Sequence, residues 1–214
     1  VSAQVLVSLD NLNINEDLPY LFNFSFNNTN PSLNVTALNI SLPSGFSYYS
    51  FSNGTNALIT NFYNSSNVLS WDNSSGGYVD NSIVNYFWVN VTSQNPGIYN
   101  ITLIATYDDG STNITNITVS VNDTSAPITS FISPVNYGNY SGNLLINLSL
   151  NDYSNIDVAR INITNESGQV TIVLLSASSS YYNASLDTNT FSDGLYNFSA
   201  YFNDSLGYIN DSEI

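Results

Sequence analysis

Residues 95–121 read NPGIYNITLIATYDDGSTNITNITVSV, and the reading of this stretch decides the fold. Apolar side chains alternate with polar ones over 98–107 and again over 112–121, the period of a strand with one face buried. Asn95-Pro96-Gly97 precedes the first segment and Asp108-Asp109-Gly110 separates it from the second. Both are turn signals: proline presets φ, glycine tolerates left-handed backbone, and Asn and Asp side chains bond the backbone two residues on.

The pattern extends in both directions. Residues 4–9, 20–26, 33–42 and 84–91 read as strands before this stretch, and 128–132, 144–150, 156–163, 169–175, 180–186 and 195–202 after it. Asn30-Pro31, Pro43-Ser44-Gly45, Asn53-Gly54 and Ser75-Gly76-Gly77 supply further turns. No segment sustains a 3.6-residue period, so helix is limited to one short turn. Many short strands punctuated by turns predict an all-β chain of antiparallel sandwiches. Val121-Asn122-Asp123-Thr124-Ser125-Ala126-Pro127 is a polar stretch ending in proline between two strands, and as a linker it predicts domains over 1–124 and 125–214.

The strand pattern carries a second one, the sequon Asn-x-Ser/Thr. Its acceptors are Asn23, Asn27, Asn34, Asn39, Asn53, Asn64, Asn73, Asn90, Asn100, Asn113, Asn116, Asn122, Asn139, Asn147, Asn162, Asn165, Asn183, Asn197, Asn203 and Asn210. With 36 Asn in the chain and roughly 23% of residues Ser or Thr, chance would give about 8 sequons. The excess is more than twofold. AT-rich codon usage does not account for it, because lysine codons are as AT-rich and the chain has no lysine. The excess marks an exported, N-glycosylated surface protein. In a strand, residues i and i+2 share a face. Asn34-Val35-Thr36, Asn100-Ile101-Thr102 and Asn197-Phe198-Ser199 therefore predict acceptor and hydroxyl outward and the apolar residue inward, so that sugar coats sheet faces.

Composition narrows the function classes. The chain of 214 residues is 43% hydrophobic, enough to build cores, but only 8% charged, with a formal net charge of −15. The single base is Arg160. Nothing can neutralise phosphates, which excludes nucleic acid and anionic membrane surfaces as partners. No apolar run approaches the ~20 residues of a membrane span, so direct membrane insertion is not expected. Without Cys there is neither a disulfide nor thiol chemistry. Without His, and with one base to pair with carboxylates, acid has few native ion pairs to break; tolerance of low pH is expected.

Two resemblances follow from quoted pieces. Phe22-Asn23-Phe24-Ser25-Phe26-Asn27-Asn28, Ile40-Ser41-Leu42-Pro43-Ser44-Gly45-Phe46, Val68-Leu69-Ser70-Trp71 and Asn95-Pro96-Gly97-Ile98-Tyr99 make the first half resemble a surface repeat of archaeal and bacterial envelope proteins. Ile132-Ser133-Pro134, Leu150-Asn151-Asp152, Asp193-Gly194-Leu195-Tyr196 and Asn203-Asp204-Ser205-Leu206-Gly207 make the second half resemble bacterial-type Ig-like repeats. The resemblance implies two tandem immunoglobulin-like antiparallel β-sandwiches with structural or adhesive duties. In that family a seventh strand follows the last of these pieces. Asp211-Ser212-Glu213-Ile214 stands where it should begin, so the second sandwich is expected to lack its last strand.

A missing strand leaves an apolar groove and an unpaired edge. Either the sequence is cut from a longer repeat protein, or another subunit supplies the strand. In the second case Val1, Val5, Leu6, Val7 and Leu9 of the N-terminal segment are the expected subunit interface, donated head-to-tail into a neighbour's second domain. The expected partners are then identical subunits in an extracellular, glycosylated, pilus-like filament, similar to archaeal surface threads, with a cell-surface or glycan ligand besides. The alternative is a stalk or adhesin segment of a larger archaeal surface-layer or cell-adhesion protein.

Catalytic residues are not expected. Without His, Cys or Lys the general-base, thiol and Schiff-base mechanisms lack their players. Glu16-Asp17 and Asp108-Asp109 are adjacent acids in turns, where such pairs are ordinarily solvated. Asp123, Asp152, Asp157 and Asp204 offer oxygen donors of the calcium type, but no complete calcium loop occurs and isolated turn aspartates ordinarily cap amides. No metal and no cofactor beyond covalent N-glycans are therefore expected. Trp71 and Trp88 are expected to pack in the core or on a sheet, one ring each of Tyr48-Tyr49 and Tyr181-Tyr182 to face solvent, and Arg160 to pair with an acid.

Overall fold

The computed structural model describes residues 5–74, 76–79, 81 and 83–213, and the chain divides into two units, Val1–Asp123 and Thr124–Ile214. The first unit runs β1 (Val5–Leu9), β2 (Asn13–Asn15), β3 (Tyr20–Asn28), β4 (Val35–Ser41), β5 (Phe46–Thr55), β6 (Asn61–Ser65), β7 (Val68–Asp72), β8 (Asn85–Ser93), β9 (Gly97–Tyr107) and β10 (Thr112–Asn122). One sheet has the order β1-β3-β8-β5, the other β2-β10-β9-β4-β7-β6. The pairings are antiparallel apart from the short β2, which lies parallel to β10.

The second unit runs β11 (Ile128–Ser133), β12 (Asn143–Asn151), β13 (Ile156–Asn165), β14 (Val170–Leu174), β15 (Ser176–Ser178), β16 (Tyr181–Asp187), a 3-10 turn at Thr188–Thr190, β17 (Tyr196–Asp204) and β18 (Ile209–Glu213). Its sheets are β11-β12-β16-β15 and β14-β13-β17-β18, the strand arrangement of an immunoglobulin-like sandwich. The chain is thus all-β, two tandem immunoglobulin-like antiparallel sandwiches.

The opening hairpin is formed as its sequence reads. Tyr107 N donates to the Ser111 carbonyl and Gly110 sits at φ +82, where the turn needs left-handed backbone. Tyr99, two residues into β9, sends its hydroxyl back to the Asn95 carbonyl at 2.9 Å; Tyr196, opening β17, does the same to Ser192 at 3.0 Å. Each Gly-x-Tyr thereby ties the corner leading into its strand, β9 or β17, to that strand.

Alternation fills the cores. In the first unit Phe22, Phe24 and Phe26 of β3 lie beside Phe87, Val89 and Val91 of β8 in one sheet, and the same core takes Ile101 and Leu103 of β9 from the other, all buried. Trp71 lies at the centre, 4.9 Å from the Phe62 ring and 5.2 Å from Phe87. The second core is smaller: Ile146, Leu148, Ile161, Ile163, Ala200 and Phe202, with Tyr182 edge-on to Phe202 at 5.3 Å. Tyr49 and Tyr181 are exposed while Tyr48 and Tyr182 pack inward.

Four expectations are corrected. The second sandwich does not lack its last strand: β18 pairs with β17 from Asn203↔Ile209 to Ser199↔Glu213. Asp204 accepts from the Leu206 and Tyr208 amides and Gly207 adopts φ +93, which turns the chain back at once, so the strand starts at Ile209 rather than at Asp211. An edge strand needs backbone pairing more than apolar side chains, so its polar sequence disguised it. Asn53-Gly54 is not a turn but the end of β5, where Gly54 opposes Trp88 and the register slips between Tyr48 and Asn53. Glu16 is not solvated but 4% exposed, its amide bound to the Asn122 carbonyl where β2 meets β10. Arg160 pairs with no acid among the described residues; its guanidinium lies 4.4 Å from the centre of the Tyr201 ring, the residue opposite it on β17.

Candidate functional site: sequon-bearing sheet faces and a carboxylate group

The acceptors all lie on strands except Asn34, Asn73 and Asn139. Each of the twenty is exposed or half-buried, and none is in a core. The middle residues go the other way: Phe24, Val35, Ile40, Val91, Ile101, Ile117, Leu148 and Ile163 are buried. Strand geometry forces this division, because the residue between two outward positions must point inward. The exposed middle residues are Ile114, at 62% where β10 runs past the core, Tyr140, and the polar Ser65, Ser74, Glu166 and Asp211.

On β9 and β10 two sequons lie face to face, Asn100 opposite Thr118 and Thr102 opposite Asn116. Thr102 Oγ1 donates to Asn116 Oδ1 at 2.8 Å and Thr118 Oγ1 to Asn100 Oδ1 at 2.9 Å. Both bonds use the amide oxygen and leave Nδ2, the atom that carries a sugar, out of the ladder. The second unit repeats the register, with Asn162 opposite Ser199 and Thr164 opposite Asn197. Sequence alternation predicts outward acceptors; the mutual pairing of sequons requires the strand register.

The expected subunit interface has other duties in this structure. Val5–Leu9 is β1, paired with β3 of its own unit from Val5↔Asn28 to Leu9↔Phe24. Leu9 is buried, Val7 packs against the core, and Leu6 faces outward at 57% exposure. Val1 lies outside the described residues.

The acids sort by geometry. Asp109 Oδ1 accepts from the Ser111 hydroxyl and amide, and Asp72 Oδ1 from those of Ser74 and from Asn61. These hydrogen bonds, the serine hydroxyl's first, hold both carboxyls below the ordinary range. Asp108 Oδ2 accepts from Asn34. All three are committed to turns. Asp204 is different: at the end of β17 it is 1% exposed, its Oδ1 accepts from the Leu206 and Tyr208 amides, and its Oδ2 has no hydrogen-bond partner. Asp123 ends the first unit, Asp152 follows β12 and Asp157 lies on β13.

No protein-family model and no curated protein matches the chain. Among solved structures it is similar to the C-terminal domain of the AgI/II polypeptide BspA of Streptococcus agalactiae, at 8% identity and TM-score 0.41, covering 99% of this chain and 97% of that one. A cohesin module from a Clostridium perfringens family 33 glycoside hydrolase covers 56% of this chain and 97% of its own, at 12% identity and TM-score 0.41. A tetra-tandem repeat from the extending region of a large adhesion protein covers all of this chain, which spans 48% of it, at 15% identity and TM-score 0.39.

Proposed function

We propose that this chain is a non-catalytic, N-glycosylated spacer, a stalk or adhesin segment of an extracellular cell-surface protein. One observation carries the reading: in both sandwiches sequon acceptors on paired strands face outward while apolar middle residues such as Ile101, Ile117, Leu148 and Ile163 build the core. Sugar on those faces would replace the charge that the chain lacks as its solubilising group. The acids in turns serve as backbone acceptors, which fits a structural role. Glycopeptide mass spectrometry of protein from its native source tests this, with hexose or N-acetylhexosamine adducts expected across both units. A bare chain would overturn it.

A head-to-tail filament built by strand donation is the second reading, with identical subunits as partners. One feature favours it: a groove beside the start of β17 whose lining includes Val135, Tyr140, Leu144 and Phe191. The spacer reading is preferred because β1 and β18 complete sheets of their own units. Electron microscopy separates the two: uniform fibres support the filament, whereas tethered stalks or a planar lattice support the spacer.

A further inference from the structure

Five acceptors sit where both neighbouring strands are in register with them. Asn39 on β4 lies between Ser70 and Ile104, and Asn162 on β13 between Ile172 and Ser199. Asn147 and Asn183 oppose each other and are flanked by Ser133 and Ser176, and Asn203 lies between Val158 and Ile209. The Oδ1 atoms of Asn147, Asn162 and Asn203 are sealed from solvent. By contrast, Asn73 and Asn139 are exposed in loops, and Asn64 is exposed on the edge strand β6.

The modification joins Asn Nδ2 to the anomeric carbon of a glycosyl phosphate donor. The carbon–oxygen bond breaks, the phosphate leaves with its electron pair, and the amide loses one proton. An enzyme performing it must grip the acceptor, the hydroxyl two residues on and the backbone between them. In a doubly paired strand that backbone is held from both sides. In the facing sequons of β9 and β10 the threonine hydroxyls are already donated across the sheet. Central strands open only by sub-global or global unfolding, whereas loops and edges open at almost no cost.

We propose that Asn39, Asn147, Asn162, Asn183 and Asn203 receive their sugar before their strands pair, so that glycosylation precedes folding of both sandwiches. Attachment at Nδ2 leaves Oδ1 free to accept, so strand pairing can follow. The inference rests on the glycosylation reading above, and its test separates the two. Unglycosylated folded protein, its urea-unfolded and diluted form, and synthetic peptides spanning Asn39, Asn73, Asn139 and Asn162 are incubated with membranes of the source cell and a glycosyl phosphate donor. Glycopeptides are then quantified site by site. Peptides and the unfolded chain should be modified at every sequon, and the folded chain at Asn64, Asn73 and Asn139, with the five paired sites slower by on the order of 1,000-fold. Modification of Asn39 and Asn162 in the folded chain within tenfold of Asn73 would overturn the order of events. So would native protein bare at all five sites yet glycosylated at Asn73 and Asn139. Failure of every peptide and of the unfolded chain would instead overturn the glycosylation reading itself.

Discussion

Tyr107 shows how a single side chain can be held by its sheet at a cost. Its ring closes β9 against the first core, and its hydroxyl is buried without a hydrogen-bond partner. Burial, with the Asp109 charge beside it, raises its pKa above the ordinary 10.0. Tyr107→Phe removes an unpaired buried hydroxyl and keeps the packing, so it should leave stability unchanged or raise it by up to about 1 kcal/mol in urea unfolding. A loss above that size would mean that the hydroxyl has a partner. Asp204 is the opposite case. Asp204→Ala deprives the Leu206 and Tyr208 amides of their acceptor and should destabilise the second unit by about 2 kcal/mol. Asp204→Asn, which keeps Oδ1 as the acceptor and removes the charge, should recover most of that loss. Equal losses in the two variants would show that the charge, not the turn, matters. None of these side-chain environments was legible in sequence, because the strands packed across the core decide whether an inward-facing tyrosine finds a partner.

At the scale of elements, β5 and β18 mark where local reading stops. Alternation found β9, β10, β12, β13 and β17 close to their observed bounds, since each has one face in a core and one in solvent. It missed β2, β5, β6, β15 and β18, which are edge strands, and the interior β7, whose five residues are too few to establish a period. It misread Asn53-Gly54 because that dipeptide is a strong turn signal in isolation. The tertiary reason for the glycine is Trp88: a Cβ on Gly54 would collide with the indole ring. Gly54→Ala should therefore cost about 1–3 kcal/mol by overpacking, read as a lowered midpoint in thermal or urea melts. Wild-type stability in that variant would place the indole elsewhere. The two tyrosine corners were marked by their Gly-x-Tyr sequences, and Tyr196→Phe should lose about 1 kcal/mol while leaving the far-ultraviolet spectrum of the sheets intact.

Over the whole molecule, charge sets the response to pH. Asp72 and Asp109 have depressed folded-state pKa values, so their stabilisation is present above the ordinary carboxyl value and lost as pH falls; Asp109 is exposed and Asp72 only half-buried, so both contribute little. Protonation meanwhile relieves repulsion on a chain of sixteen acids and one base. Tyr107 and Tyr182 have raised values, chiefly through burial, so their contribution is complete below about pH 10 and is lost as pH rises through the folded-state value. The melting temperature should stay nearly flat from neutral to about pH 3 and fall at alkaline pH. A steep acid drop with alkaline resistance would contradict both parts. The sequence by itself determined the strands with buried faces, the outward direction of the acceptors and the acidic, base-poor surface, because alternation and composition are properties of neighbouring residues. Only the tertiary structure decided that Ile209–Glu213 closes the second sandwich and which sequons are held between two strands. Those depend on register between segments far apart in the chain, which hydrogen bonding across the sheets fixes and local periodicity does not.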